Sequence, residues 1–281
     1  MTPAQLKKRL EKLGIEAEED QFMTSALATA TFIRQQSPHG STAFVIGGPG
    51  LHEALADAQV TEVKVSMADL CRNPRKRSRK DRDEKGHDDT GDDSDEEEDP
   101  AEKSIIPDYV IVGEAEDEYN LENMEIATAL CARGARLVGT NQDASDPVEG
   151  GNVVPSCGAW ISVVEKASGK DAYFPGKPNA IMMRAALERM TALGSSSSSS
   201  NATTPANDKG KSDERAHSGD VAMIGDRLST DVRAGMEAGM DSVLVLTGCT
   251  AKEDVANSSF RPFAVLDDIG GIVPATFKDD E

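Results

Sequence analysis

Apolar residues are scarce in this chain: they make up 38% of its 281 residues, low for a globular protein, and the shortfall is local rather than uniform. No apolar run approaches the roughly 20 residues a membrane helix needs, which excludes a helical membrane protein. The first residues, Met1 to Leu13, are rich in Lys and Glu where a secretory signal would be apolar. The four cysteines, Cys71, Cys131, Cys157 and Cys249, stand far apart. They form no C-x-x-C pair and no Cys/His cluster at metal spacing, so they read as thiols in a reducing compartment. Positive charge is in deficit too: 30 Lys and Arg face 50 Asp and Glu, a formal net charge of −20. That balance argues against specific nucleic-acid binding and against anionic membranes. It would also repel a phosphate-bearing substrate unless a cation or a positive pocket intervened, so a metal site is worth seeking. The expected location is cytoplasmic.

Two stretches lack the apolar residues to join a core. Over 72–103 a basic block (Arg75, Lys76, Arg77, Arg79, Lys80, Arg82) runs into an acidic one. Between Asp88 and Asp99, nine of twelve residues are Asp or Glu, a composition that predicts disorder. The second stretch, 194–219, holds six serines in a row and reads as a flexible linker. Residues 72–100 contain eight basic and twelve acidic residues, so the other parts still carry −16 of the −20.

The remainder alternates apolar runs with helical patterns, the signature of an α/β fold. Helices are expected over Thr2–Leu13, with Thr2 as cap and Pro3 at the first position, and over Ser25–Gln35, Leu121–Arg133, Ala159–Lys166, Ala180–Leu193 and Ser229–Ala238. Buried strands are expected at Thr42–Ile46, Tyr109–Val112, Arg136–Val138, Val221–Ile224 and Ser242–Leu246, with a glycine-rich turn at Gly47–Gly50. Strands followed by polar turns and helices point to a parallel, doubly wound sheet that binds ligands at its carboxyl edge.

Three strand-end motifs carry candidate chemistry. In Val221-Ala-Met-Ile-Gly-Asp-Arg-Leu-Ser-Thr-Asp231 a buried strand ends at Gly225, and Asp226 and Asp231 follow. Two carboxylates so placed suit a hard divalent cation such as Mg²⁺, although Asp231 could equally serve the start of a helix. Lys177, fixed between Gly176 and Pro178, can meet phosphate charge or be an ordinary turn lysine. Thr140-Asn141-Gln142-Asp143 again follows a strand, where turn chemistry also explains Asn and Asp.

The order and spacing of these motifs are specific where each alone is weak. With Phe22–Ile33, Phe44–Gly47, Tyr109–Glu114, Gly134–Asp143, Pro155–Ala159, Gly176–Pro178, Gly225–Asp231 and Val245–Gly248, the chain resembles class IIA of the haloacid dehalogenase (HAD) superfamily, in its NagD-like and 4-nitrophenylphosphatase-like branch. The resemblance covers nearly everything outside the two inserts. It implies a Rossmann-like parallel core with an inserted α/β cap: partial core at 1–64, cap at 65–172, and core again at 173–281. It also implies a Mg²⁺-dependent phosphomonoesterase working through an aspartyl-phosphate. On that pattern Lys177 is the catalytic, charge-stabilising lysine, Asp226 the metal ligand and Asp231 a supporting carboxylate beside the metal. Thr140, Asn141 and Asp143 belong to the substrate opening. The substrate would be a small phosphorylated molecule (a nucleoside monophosphate, sugar phosphate or aryl phosphate), and copies would associate through the cap.

One family element is absent from the 281 residues. The family's nucleophile lies in a strand ending D-x-D-G, and that motif occurs nowhere here; Asp93-Ser94-Asp95 is followed by Glu96. Two expectations follow: translation starts upstream of Met1, or the chain is a degenerate relative acting as an interaction protein, with the charged insert as its partner-binding element. A dinucleotide-binding oxidoreductase is disfavoured, because Gly47-Gly48-Pro49-Gly50 lacks the G-x-G-x-x-G spacing.

Overall fold

The computed structural model describes residues 1–72, 106–115, 117–197 and 217–272. Disorder in the charged insert and in most of the serine-rich linker is an expectation that lies outside the described residues.

The larger of two parallel sheets holds β1 (Ser41–Ile46), β2 (Val60–Glu62), β3 (Tyr109–Val112) and β4 (Arg136–Gly139) in the order β2-β1-β3-β4. The central strand β3 and most of β1 read as apolar runs because both faces are covered, and side chains alternate between the two cores. Phe44, Ile46, Val110 and Val112 meet Leu70 of α4 (Met67–Arg72), Met124, Ile126 and Leu130 of α5 (Leu121–Ala132) and Ile161 and Val164 of α6 (Cys157–Ser168). On the opposite face Ala43, Tyr109, Ile111 and Val138 meet Ile33 of α2 (Ser25–Gln36) and Leu51 and Leu55 of α3 (Pro49–Asp57). The result is three layers, helix–sheet–helix. Where a turn was expected at Gly47–Gly50, Gly48 is instead the N-cap of α3 and Pro49 occupies its first turn, which needs no amide donor there.

This sheet runs across the expected boundary between residues 64 and 65. β1 pairs in parallel with β3 from Ala43↔Tyr109 to Ile46↔Val112, so Ser41–Glu62 shares a sheet and two hydrophobic cores with the 109–139 strands. A division at 65 would cut through that packing. Two separate parallel sheets agree with the expected parallel core and inserted α/β cap.

The second sheet holds β7 (Ala222–Gly225), β8 (Asp241–Val245) and β9 (Ala264–Leu266), all parallel, in the order β7-β8-β9. An antiparallel hairpin of β5 (Ser145–Val148) and β6 (Asn152–Pro155), not expected from the sequence, stands apart from both sheets. Helix α7 (Ala180–Ser197) runs four residues into the expected linker. With α8 (Arg233–Ala238) it packs on α2 through Met182, Met183, Ala234 and Ala28, so one face of α2 serves the first unit and another the second. The N-terminal helix α1 (Pro3–Glu11) is closed by the expected Thr2 cap, reinforced by a capping box with Gln5.

β7 is unusual for a parallel strand. It has β8 on one side and, among the described residues, no strand on the other. Its Ile224 is 39% exposed, although the run Ala222-Met-Ile-Gly225 has the apolar character of a central strand. Such an edge is a ready template for another extended segment.

Candidate active site

The functional side chains gather at the carboxyl ends of the strands. β7 delivers Asp226, and the chain then turns through a π-helical loop, Leu228–Val232, that brings Asp231 back beneath it. Asp231 is 3% exposed and fully engaged. Its Oδ2 accepts the backbone N–H groups of Asp226 and Arg227, both at 3.1 Å. Its Oδ1 accepts Lys177 Nζ at 2.6 Å. A side chain at position 225 would collide with the Asp231 carboxylate, which is why glycine stands there. Asp226 in turn accepts the Cys249 N–H through Oδ2 at 2.7 Å. Gly248 is the second required glycine, since a methyl there would overlap that oxygen.

Lys177 arrives from the other sheet. Tyr173 forms a parallel bridge with Val138 and exchanges backbone hydrogen bonds with Leu137 and Gly139, so residues 173–174 run alongside β4. Gly176 then lies against the Thr140 carbonyl with no room for a side chain. That close approach hands Lys177 to Asp231. The expected catalytic lysine and the two expected carboxylates thus form one connected cluster.

The Thr140–Asp143 segment borders it without touching it through side chains alone. Thr140 is buried, its hydroxyl 3.8 Å from the Cys157 sulfur, a thiol whose pKa burial pushes up. Asn141 donates to Glu114 Oε1 at 3.1 Å, while its own Oδ1 is buried without a partner. Asp143 accepts Arg227 Nη1 at 2.8 Å.

Two participants escaped the motif reading. Glu114 Oε1 also takes Ser156 Oγ at 2.7 Å and the Cys157 N–H at 3.2 Å, so it organises both Asn141 and the start of α6. Arg227 sits next to Asp226 in a motif already singled out, but adjacency alone does not say that a guanidinium crosses to Asp143. Partial burial opposes its charge, yet the Cys249 sulfur and the Asp143 and Asp146 carboxylates outweigh this and hold its proton more firmly than usual.

The residues fit Mg²⁺ in a limited way. Among the described residues there is no group of three or more His, Cys, Asp or Glu poised around a metal. Mg²⁺ needs only one or two protein carboxylates, the remaining positions being filled by water and substrate oxygens. Asp226 fits: it is half-buried, at a strand end, and its hydrogen bond engages only Oδ2. Asp231 fits less well, since three hydrogen bonds already occupy its two oxygens.

Comparison with known proteins agrees with this geometry. Residues 1–61 match the family model described as haloacid dehalogenase-like hydrolase, and residues 174–272 match the HAD-hydrolase-like model. The chain is 30% identical over 261 residues to ribonucleotide monophosphatase NagD of Escherichia coli K12, covering 93% of this chain and 76% of that protein. It is 31% identical over 271 residues to the acid sugar phosphatase of Staphylococcus saprophyticus, covering 96% and 79%. Its fold is similar to that of a p-nitrophenyl phosphatase from Archaeoglobus fulgidus, with a TM-score of 0.64 at 27% identity over 95% of this chain and 79% of that one. No described helix is long and apolar enough to cross a membrane.

Proposed function

The chain belongs to the haloacid dehalogenase-like hydrolases, in the NagD-like class IIA group whose members compared above are phosphatases, and from that premise we propose that it binds small phosphomonoesters at the Lys177–Asp231–Asp226 cluster for Mg²⁺-dependent hydrolysis. The observation that carries this reading is the chain of contacts from Lys177 Nζ to Asp231 Oδ1 at 2.6 Å and from Asp231 Oδ2 to the Asp226 N–H at 3.1 Å. It ties an ammonium group to the loop that presents a strand-end carboxylate, so that the ammonium and a cation held by that carboxylate can together offset the charge that develops in phosphoryl transfer.

In this reading Asp226 holds Mg²⁺, which when bound supplies charge neutralisation at the phosphoryl oxygens. Lys177 contributes a compact point charge to the same oxygens. Asp231 fixes the lysine and ties down the loop that presents Asp226. Thr140, Asn141 and Asp143 border the leaving group. The parallel sheet that begins with Ser41 acts as the cap, and the β7–β9 sheet belongs to the core. The 281 residues contain no D-x-D-G, so this reading assigns the attacking carboxylate to none of them. Among the described residues β7 has one unpaired edge, and its last residue precedes Asp226, so an extended segment that added there would lie beside this cluster.

The same absence favours a second reading, a binding protein that keeps the phosphate site without turnover. Protein isolated from its own cells separates the two. Hydrolysis of 4-nitrophenyl phosphate that needs Mg²⁺ and disappears in Asp226→Ala is expected for the enzyme. Mg²⁺-dependent phosphate binding without hydrolysis is expected for the binding protein. Hydrolysis that survives Asp226→Ala contradicts both.

A further inference from the structure

Arg227 occupies a position that the reaction outlined above does not use. Its backbone N–H is one of the two amides held by Asp231 Oδ2, so its main chain is part of the metal-loop scaffold. Its side chain leaves that scaffold. Nη1 donates to Asp143 Oδ1 at 2.8 Å, and Nη2 reaches the Ser145 carbonyl at 3.4 Å and Asp146 Oδ1 at 3.5 Å. Nε points to the Cys249 sulfur at 3.3 Å. Three loops meet on one planar group: the turn after β7, the turn after β8, and the segment leading from β4 into the β5–β6 hairpin. Among the described residues, every hydrogen bond or ion pair between 222–266 and 109–172 is made by Arg227.

A cavity of about 470 Å³ lies at this joint. Ser145, Pro147 and Val153 of the hairpin segment form one wall, and Leu228, Ser229 and Thr250 of the core loops the other, with Arg227 lining it between them. Its volume falls in the range of small-molecule sites. Apart from Cys249, its lining mixes apolar and hydroxyl groups with Arg227, whose charge is already met by carboxylates, and the acidic Asp254, suiting the organic part of a phosphomonoester rather than a second phosphate.

We propose that Arg227 is a positioning residue: it latches the Asp143–Asp146 segment and the β5–β6 hairpin over the loop carrying Asp226, and so shapes the pocket for the ester's leaving group without itself holding the phosphate. The inference rests on the phosphomonoester reading above. A guanidinium suits the role because its donors are fixed in one plane and point in different directions, whereas a lysine ammonium reaches one partner at a time. The latch also explains how a loop of one sheet fixes a hairpin that shares no strand pairing with either sheet. Two ion pairs and two further contacts on a side chain 23% exposed amount to more than an isolated surface pair, yet stay weak enough to open.

The test compares wild type, Arg227→Ala and Arg227→Lys by hydrogen exchange and by calorimetric binding of inorganic phosphate and 4-nitrophenyl phosphate in Mg²⁺. In Arg227→Ala, amides of 140–156 are expected to exchange at least tenfold faster. Affinity for the ester should fall about tenfold while that for inorganic phosphate stays within twofold, and Arg227→Lys should recover less than half of the loss. Should Arg227→Ala fail to fold, Asp146→Asn loosens the latch from the other side and must speed exchange in 140–156 and weaken the ester more than inorganic phosphate. Unchanged exchange in 140–156 overturns the latch. Equal weakening of phosphate and ester overturns it as well, by placing Arg227 in the phosphate anchor. If wild type binds neither ligand, the phosphomonoester reading fails, while the exchange data still decide whether Arg227 holds the hairpin.

Discussion

Replacing Asp231 with alanine removes the acceptor of three hydrogen bonds at once and should destabilise the protein by about 3 kcal/mol. Two of the bonds come from the backbone amides of Asp226 and Arg227 at 3.1 Å, and the carboxylate receiving them is 3% exposed. A hydrogen bond to a charged group contributes about 1.5–3 kcal/mol, and their length places these two slightly below that range, at about 1.25 kcal/mol each and about 2.5 kcal/mol together. The third bond, from Lys177 at 2.6 Å, is short, but the lysine side chain is 39% exposed. Solvent screening reduces that pair to about 0.5 kcal/mol. Asp231→Asn is the informative companion. Its amide oxygen can keep the two N–H groups as neutral bonds while its NH₂ faces the lysine, so about half of the loss should return. Urea unfolding at neutral pH measures both, and the alanine variant should melt roughly 6–12 °C lower. A loss below about 0.5 kcal/mol in Asp231→Ala would refute the view that this carboxylate holds the loop together. Equal losses in the two variants would refute the division between amide bonding and charge.

Three further outcomes follow from other parts of the molecule. Mg²⁺ at ~100 times its Kd should stabilise the protein by about 2.7 kcal/mol, a Tm rise of roughly 5–10 °C, and both Asp226→Ala and Gly248→Ala should abolish the rise in a thermal melt. His52 contacts Glu62 at 2.7 Å and the Gly47 carbonyl at 2.8 Å; burial opposes its proton, but these acceptors win and the pKa is raised. Its contribution is therefore complete below about pH 6.5 and fades as pH climbs through the raised value, so the stability gap between wild type and His52→Gln should narrow from pH 6 to pH 9. Cys71 and Cys249 are exposed, whereas Cys131 and Cys157 are buried and burial pushes the Cys131 thiol up to about 12. A thiol reagent should accordingly modify two cysteines rapidly in the native protein and four only after unfolding.

Much of the fold was legible because buried parallel strands are written as apolar runs: Tyr109–Val112 coincides with β3, and Thr42–Ile46 with all but one residue of β1. What the runs do not encode is which strands pair. Phe44 and Ile46 look the same whichever sheet they join, so the runs alone do not reveal that β1 and β3 pair across the boundary expected at 65. Helix α3 was lost to a glycine-rich start, since Gly48 as N-cap and Pro49 in the first turn read locally as a turn. The β5–β6 hairpin was lost because Ser145-Asp-Pro-Val148 carries no alternating pattern. The site fared better at strand ends than between them. Lys177, Asp226 and Asp231 each read ambiguously at a strand end and gained their expected roles from the family resemblance, and the fold brings them into one chain of contacts. Glu114 and Arg227 act through partners distant in sequence, and a lone Glu or Arg in a turn gives no hint of what it will reach.

The most direct measurement is calorimetric titration of the protein with inorganic phosphate, with and without Mg²⁺, repeated for Lys177→Ala and Asp226→Ala. Binding that requires Mg²⁺ in wild type, loses its metal dependence in Asp226→Ala and weakens at least tenfold in Lys177→Ala is the predicted result. Phosphate affinity indifferent to the metal and to both substitutions would contradict the assignment of this cluster as the phosphate site.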